Sequence, residues 1–375
     1  MVGFDWEQAA VEEAKQRTRD LWAYRRVDKI PIHVGVGSNP RHYTLHDQIL
    51  DVEKELEVTL GSIRRTLELC PLDYIPNATT NVGNVLLESA FGLKADFPEN
   101  PQQTPIWREP LLQNLDEAYT LEIPDPRGDD FFQDCLERLR HWTSRLGDRI
   151  YTGSYDIGGP TNIAYNLAGP VMFYQGLVDN PEAVHVLIDK ATAACLIYYE
   201  LLVDAAGGLD RMGTIYPGEW CPEGRKGAIA DDVCANISPE MFKEFSRPYN
   251  ARIFEVYGAG WFHNCGPNPC AYEYIDPKHP IGALQLFYDY SKEDLHLVAD
   301  ALDHKAVLYL AWWGSDEPEK VFREYRRACE IMESKTACVL QYHLDDAQYS
   351  DRDILNIYDE LNRISIEHTK AMVWN

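Results

Sequence analysis

His263 and Cys265 are the pair of side chains best suited to chemistry in this sequence. They close the stretch Gly258-Ala259-Gly260-Trp261-Phe262-His263-Asn264-Cys265-Gly266. Period-two spacing puts both on the same side of a strand or of its end. A neutral imidazole and a thiolate are preferred zinc ligands, so the pair reads as part of a metal site. Gly266 then lets the chain turn away with no Cβ to obstruct a ligand. The bland alternative is a strand end that happens to carry a His and a Cys. Such pairs are common, so their position in the fold has to decide.

The elements that must position them follow from the chain in order. Residues 5–26 read as an amphipathic helix, with Trp6, Ala10, Ala14, Leu21 and Trp22 on one side. A first buried strand, Ile30 to Val36, is broken by Gly37-Ser38-Asn39-Pro40. Residues 47–69 are helical by the spacing of Ile49, Val52, Leu56, Leu60 and Ile63. Leu72 to Pro76 is the expected second strand, Arg149 to Asp156 the third and Leu209 to Tyr216 the fourth. The fifth runs over 258–265, the sixth over Ile281 to Phe287, the seventh over Ala306 to Trp312 and the eighth over Ala337 to Tyr342. Helices lie between them. Asn180-Pro181-Glu182 and Ser238-Pro239-Glu240 mark two helix starts, each a polar cap followed by Pro and an acid. Residues 82–130 are proline-rich and irregular, an excursion expected to pack on the core of a single domain spanning 1–375.

Eight strands alternating with helices predict an α/β chain, a (β/α)8 TIM barrel with an N-terminal helical extension over 1–28. A doubly wound open sheet is the alternative. No G-x-G-x-x-G follows the first strand, which disfavours a dinucleotide-binding sheet. In a barrel, chemistry gathers at the C-terminal ends of the strands. Those ends carry Asn77, Asp156, Tyr216, His263 with Cys265, Trp312 with Trp313, and His343 with Asp345 and Asp346. The His-x-Cys pair therefore falls where a site belongs, which raises the metal reading above the bland one.

Composition narrows the partners. Asp plus Glu number 60 against 35 Lys plus Arg, for a formal net charge of -25. A surface this acidic repels nucleic acid and anionic membrane. No apolar run reaches the length of a membrane span. The acidic N-terminus is unlike a signal peptide. Nine scattered cysteines suit a reducing compartment, so a cytoplasmic location is expected.

Three segments resemble the uroporphyrinogen decarboxylase superfamily. They are Gly159-Pro160 to Gly169-Pro170 with Asp179-Asn180-Pro181-Glu182-Ala183-Val184, then Asp231-Asp232 leading to Ile237-Ser238-Pro239-Glu240-Met241-Phe242 and Arg247-Pro248-Tyr249, and His263-Asn264-Cys265-Gly266. Their order fits the family over roughly residues 25–370. Within it they are most similar to the zinc-dependent methyltransferase branch that works with corrinoid proteins. The resemblance implies a (β/α)8 barrel, zinc held by His263 and Cys265, and methyl transfer between a small O- or N-methylated compound and a corrinoid carried by a partner protein. The assembly is left open, a homodimer being one option. The family's further Cys, after the last strand, is missing. His343 stands in about that place and is the expected third ligand, while Cys338 lies earlier, within the strand. The resemblance also marks Asp232 as a pocket residue, and Asp156 is similar.

Several candidates carry a plain structural reading beside the functional one. Trp312 and Trp313 could line a substrate pocket or face a methylammonium group, but alternation turns only one of them inward. Glu219 could contact substrate or be a solvated loop acid. Cys270 reads as a structural loop cysteine. Asn77 and Tyr216 are expected to touch substrate. The early loop Gly37 to Tyr43 keeps a single Arg, Arg41, thin for a porphyrinogen's carboxylates. Two other functions remain: a metal-free decarboxylase or lyase using Asp156 or Asp232 as acid–base group, and a non-catalytic small-molecule-binding barrel.

Overall fold

A computed structural model describes residues 6–107, 109–153, 155–215 and 219–374. Ten strands occur among them: β1 Ile32–Gly37, β2 Asn77–Ala78, β3 Ala95–Asp96, β4 Ile106–Trp107, β5 Tyr151–Thr152, β6 Gly227–Ala230, β7 Ala259–His263, β8 Ala283–Phe287, β9 Val307–Ala311 and β10 Cys338–Asp345. Six form one sheet in the order β1-β10-β9-β8-β7-β6, every pair parallel. The first strand thus pairs with the last, Ile32 opposite Leu340. Such pairing curls the sheet back on itself, unlike a doubly wound sheet with its first strand in the middle. β2 and β5 pair parallel, and Thr152 bridges Met212. The fold is α/β and TIM-barrel-like, as the alternation predicts.

Alternation along each strand sorts the side chains into two cores. Val34, Ile229, Phe262, Leu284, Leu286, Leu308, Leu310 and Leu340 pack outward against the helices. Ala228, Trp261, Ala283, Val307, Tyr309 and Val339 pack inward. Leu21, Tyr24, Val27 and Ile30, from the helix Gln8–Trp22 and the turn after it, plug the inner core from one end. Trp22 Nε1 donates to the Tyr309 hydroxyl at 2.9 Å, and Tyr24 donates to the Ala306 carbonyl at 2.8 Å. Two residues further along the same inward columns come His263, Gln285, Gln341 and, after it, His343. The barrel interior therefore turns from apolar to polar toward the strands' C-terminal ends.

The structure moves some boundaries. Leu209–Arg211 is a 3₁₀ turn, followed by the single bridge at Met212 rather than a strand. The strand beside β7 is instead β6, within residues 217–232, whose glycines and charges read from the sequence as a loop. Three of its four residues, Gly227, Ala228 and Ala230, are small, and Gly227 has to be: a Cβ there would lie 2.4 Å from the Gly258 carbonyl oxygen. The second strand begins only at Asn77, because the Tyr74 N–H turns back onto Pro71 at 3.3 Å. β10 runs on to Asp345, so His343 lies within it. The helix expected over 47–69 breaks at Asp51, which is extended and caps the second piece, Val52–Leu69. Within the 82–130 excursion, Val82, Leu86, Leu87, Phe91 and Leu112 join the outer core. No helix among the described residues is long and apolar enough to cross a membrane.

Candidate metal centre and cavity

His263 ends β7, and the residues around it converge on its ring. Its Nε2 lies 3.7 Å from Cys265 Sγ and 3.9 Å from Asp232 Oδ1. The Cys265 backbone N–H donates to Asp232 Oδ1 at 2.8 Å. β6 brings Asp232 here: it precedes Asp232 in the chain and pairs with β7, Ala230 opposite His263. Asn162 holds the carboxylate by donating to Oδ2 at 3.2 Å and accepting the Asp232 N–H at 2.9 Å. His263 Nδ1 is paired with Gln285 Oε1. An amide oxygen accepts only, so Nδ1 carries the proton and Nε2 presents its lone pair.

The set fits a zinc ion. The three donor atoms all lie within 4.8 Å of one another. Bonds of about 2.0–2.3 Å in a tetrahedron place ligand atoms roughly 3.4–3.6 Å apart, close to the separations here. The His263 side chain is 13% exposed and that of Asp232 46%, so one flank stays open. An open position is what a catalytic rather than structural zinc requires. Burial, reinforced by the neighbouring Asp232 charge, pushes the Cys265 thiol up to about 12. A cation has to displace that proton, so metal binding here releases one.

A cavity of about 590 Å³ lies one residue removed from these donors, none of which lines it. Phe287 joins the two, lining the cavity and standing edge-on to the His263 ring at 6.3 Å. Trp313 stacks on Phe287 at 4.2 Å and is 42% exposed. On another wall His33 Nδ1 meets Glu219 Oε2 at 3.0 Å, while Gln341 donates to Glu219 Oε1 at 2.6 Å. His33 stands edge-on to Tyr309 at 5.4 Å. Burial alone would lower the His33 pKa. The Glu219 charge and hydrogen bond, with a contribution from Asp73, outweigh burial and raise it. Asp73 is itself paired with Lys29 and Arg17. Among the described residues, no Lys or Arg lines the cavity.

The structure distributes the expected residues unevenly. Asp232 joins His263 and Cys265, whereas His343 does not belong to that group. Its ring stands over β1, where a Cβ on Gly35 would lie 2.5 Å from His343 Nδ1. β10 is separated from β7 by β9 and β8, roughly 14 Å along the wall at the usual strand spacing. His343 lines the cavity and is exposed. Asn77 and Glu219 line it too. Both tryptophans border it, but Trp312 is buried, stacks on Tyr288 at 5.1 Å and donates to Glu324 at 2.9 Å. Asp156 accepts from the Gly158 N–H at 2.9 Å, in the turn after β5. Tyr216 lies outside the described residues. Cys270 is buried against the Cys234 and Ile237 carbonyls, and Cys338 is buried in β10.

His33, Gln285, Phe287 and Gln341 escaped the sequence reading. A signal for the first was present. In Ile32-His33-Val34-Gly35-Val36, His33 shares a face with Gly35, opposite three aliphatics. A lone polar residue on the inner face of a barrel strand points at the lumen.

Comparison with known proteins adds three findings. The uroporphyrinogen decarboxylase (URO-D) family matches residues 44–210. No curated protein matches the sequence. Among solved structures, a methyltransferase from Methanosarcina mazei superposes with a TM-score of 0.64 at 16% identity, over 95% of this chain and 98% of that one. At such identity the likeness speaks for the fold.

Proposed function

We propose that this chain, a barrel of the uroporphyrinogen decarboxylase superfamily, is a zinc-dependent methyltransferase. It moves a methyl group between a small O- or N-methylated compound and a corrinoid carried by a partner protein. One observation carries the reading: Asp232, His263 and Cys265 present carboxylate, imidazole and thiol within 4.8 Å of one another, and Phe287, edge-on to the His263 ring, connects them to the cavity. Zinc bound there would supply Lewis acidity toward the heteroatom that bears the methyl group.

The chain's own residues do the rest. Gln285 fixes the His263 tautomer, and Asn162 aims Asp232. Trp313 and Phe287 offer an apolar wall for the body of the methylated compound, and Asn77 offers a polar contact. The corrinoid has to approach from the strands' C-terminal face, because the three donors sit there. A decarboxylase acting on a polycarboxylate would need cationic side chains in the cavity, and none of its described lining residues is Lys or Arg.

The test is to incubate zinc-loaded protein with cob(I)alamin and a panel of methyl ethers and methylamines, following methylcobalamin by absorbance. Methyl transfer that disappears in Cys265→Ala, together with stoichiometric zinc, supports the reading. Full zinc content in a folded Cys265→Ala protein would sink it.

A further inference from the structure

The cavity has a second polar centre apart from the three donors, and its chemistry bears on what the cavity holds. His33, Glu219 and Gln341 form it, on β1, on the segment before β6 and on β10. Both Glu219 oxygens are engaged, one by His33 and one by Gln341. The other cavity carboxylate, Asp73, takes Arg17 at 2.9 Å, Lys29, and the Ile32 N–H at 3.0 Å. Neither carboxylate is left unpaired for a cationic ligand. An anionic ligand fares no better: no Lys or Arg lines the cavity among the described residues, and the His33 charge is already matched by Glu219. Burying a charge without a partner is expensive.

Donor capacity remains. His33 Nδ1 is committed to Glu219, while Nε2 has no partner among the described residues and His33 lines the cavity. The groups that face His33 are Glu219, Gln341 and the Tyr309 ring, with Asp73 and Lys29 behind. The Glu219 carboxylate 3.0 Å from Nδ1 stabilises the imidazolium, in which Nε2 is a donor. On the apolar side, Trp313 rests on Phe287 with nearly parallel planes, 16° apart, and remains 42% exposed. A volume of about 590 Å³ suits a ligand of one ring with substituents.

We infer that His33, backed by Glu219 and Gln341, is the hydrogen-bond donor that selects the methyl-transfer substrate, an uncharged compound with an oxygen acceptor on a planar apolar body. This rests on the reading of the cavity as the substrate site. It places recognition on β1 and β10, away from the donors at the end of β7. His33 acts by positioning, and Trp313 supplies the surface on which the flat body lies.

Calorimetric titration tests it with three probes that share one body and differ in charge: 4-methoxyphenol, 4-methoxybenzoate and (4-methoxyphenyl)trimethylammonium. Each is titrated into zinc-loaded and chelator-treated protein at neutral pH. 4-Methoxyphenol is expected to bind saturably in both forms, and the two ions at least about tenfold more weakly. His33→Gln should weaken 4-methoxyphenol by roughly tenfold or more, the loss of a charge-assisted hydrogen bond. If His33→Gln fails to fold, Trp313→Ala, at an exposed ring, should weaken it comparably. Tighter binding of either ion, no binding of 4-methoxyphenol to either form, or unchanged affinity in a folded His33→Gln protein would overturn the inference. Loss of zinc binding is measured separately. It would defeat the metal reading while leaving the titration of chelator-treated protein to decide this one.

Discussion

The choice between Asp232 and His343 as third ligand gives the sharpest prediction. Asp232→Asn keeps an amide oxygen where Oδ1 now accepts the Cys265 N–H at 2.8 Å, so the backbone there has no reason to move. What disappears is one negative charge beside a divalent ion, together with the oxygen that accepts from the Asn162 amide. Two unit charges 4 Å apart attract by about 1 kcal/mol in water and about 4 kcal/mol near a protein surface. The Asp232 side chain is 46% exposed, which rules out the upper bound for a fully buried pair. For a doubly charged ion at this half-exposed site, a loss of about 2–4 kcal/mol follows, or roughly 30- to 1,000-fold in zinc Kd. His343→Ala removes a ring that stands over Gly35 on β1 and should leave zinc Kd within about threefold. Competition against a chromophoric chelator measures both. A weak effect of Asp232→Asn with a large effect of His343→Ala would refute the reasoning and restore the ligand set expected from sequence.

Other outcomes follow from packing and charge. Gly35→Ala puts a methyl 2.5 Å from His343 Nδ1, so the exposed ring must swing away; urea denaturation should show a loss of no more than about 1 kcal/mol. Trp261→Ala empties the middle of the inner core and should cost about 3–5 kcal/mol by the same measurement. The raised His33 pKa fixes a sign: protonation is favoured in the folded state, so its contribution is fully present below the unfolded value and fades as pH rises through the folded one. Histidine NMR should place the His33 midpoint above the ordinary range, and Glu219→Gln should bring it down. A His33 midpoint unmoved by Glu219→Gln would contradict the pairing.

Much of the barrel is legible in the amino-acid sequence, because a parallel strand buried on its outer face needs a short aliphatic run. Val307 to Ala311 and Cys338 to Leu340 state their element type without help. The His263 and Cys265 pairing is equally legible: two ligands on a period-two repeat stay on one side in any strand. Helix starts at Asn180 and Ser238 are readable from the cap chemistry that the structure shows, each side chain accepting from the backbone N–H three residues on.

The third member of the donor group is not legible, and the reason is adjacency. Asp232 reaches His263 because β6 pairs with β7, and β6 is only four residues, three of them Gly or Ala, in a stretch whose charge and glycines read as loop. A strand placed at 209–216 leaves Asp232 as a general acid–base candidate, while His343 looks near because it follows the expected last strand. Strand order then decides the matter: His343 faces β1 across a glycine, and β9 and β8 stand between it and the metal donors. The His33, Glu219 and Gln341 cluster is likewise a product of closure, since partners 186 and 122 residues apart meet only when β1 pairs with β10. Local periodicity determines which way a side chain points. Which side chains it then meets depends on the pairing of distant strands, and that is settled by burial over the whole barrel.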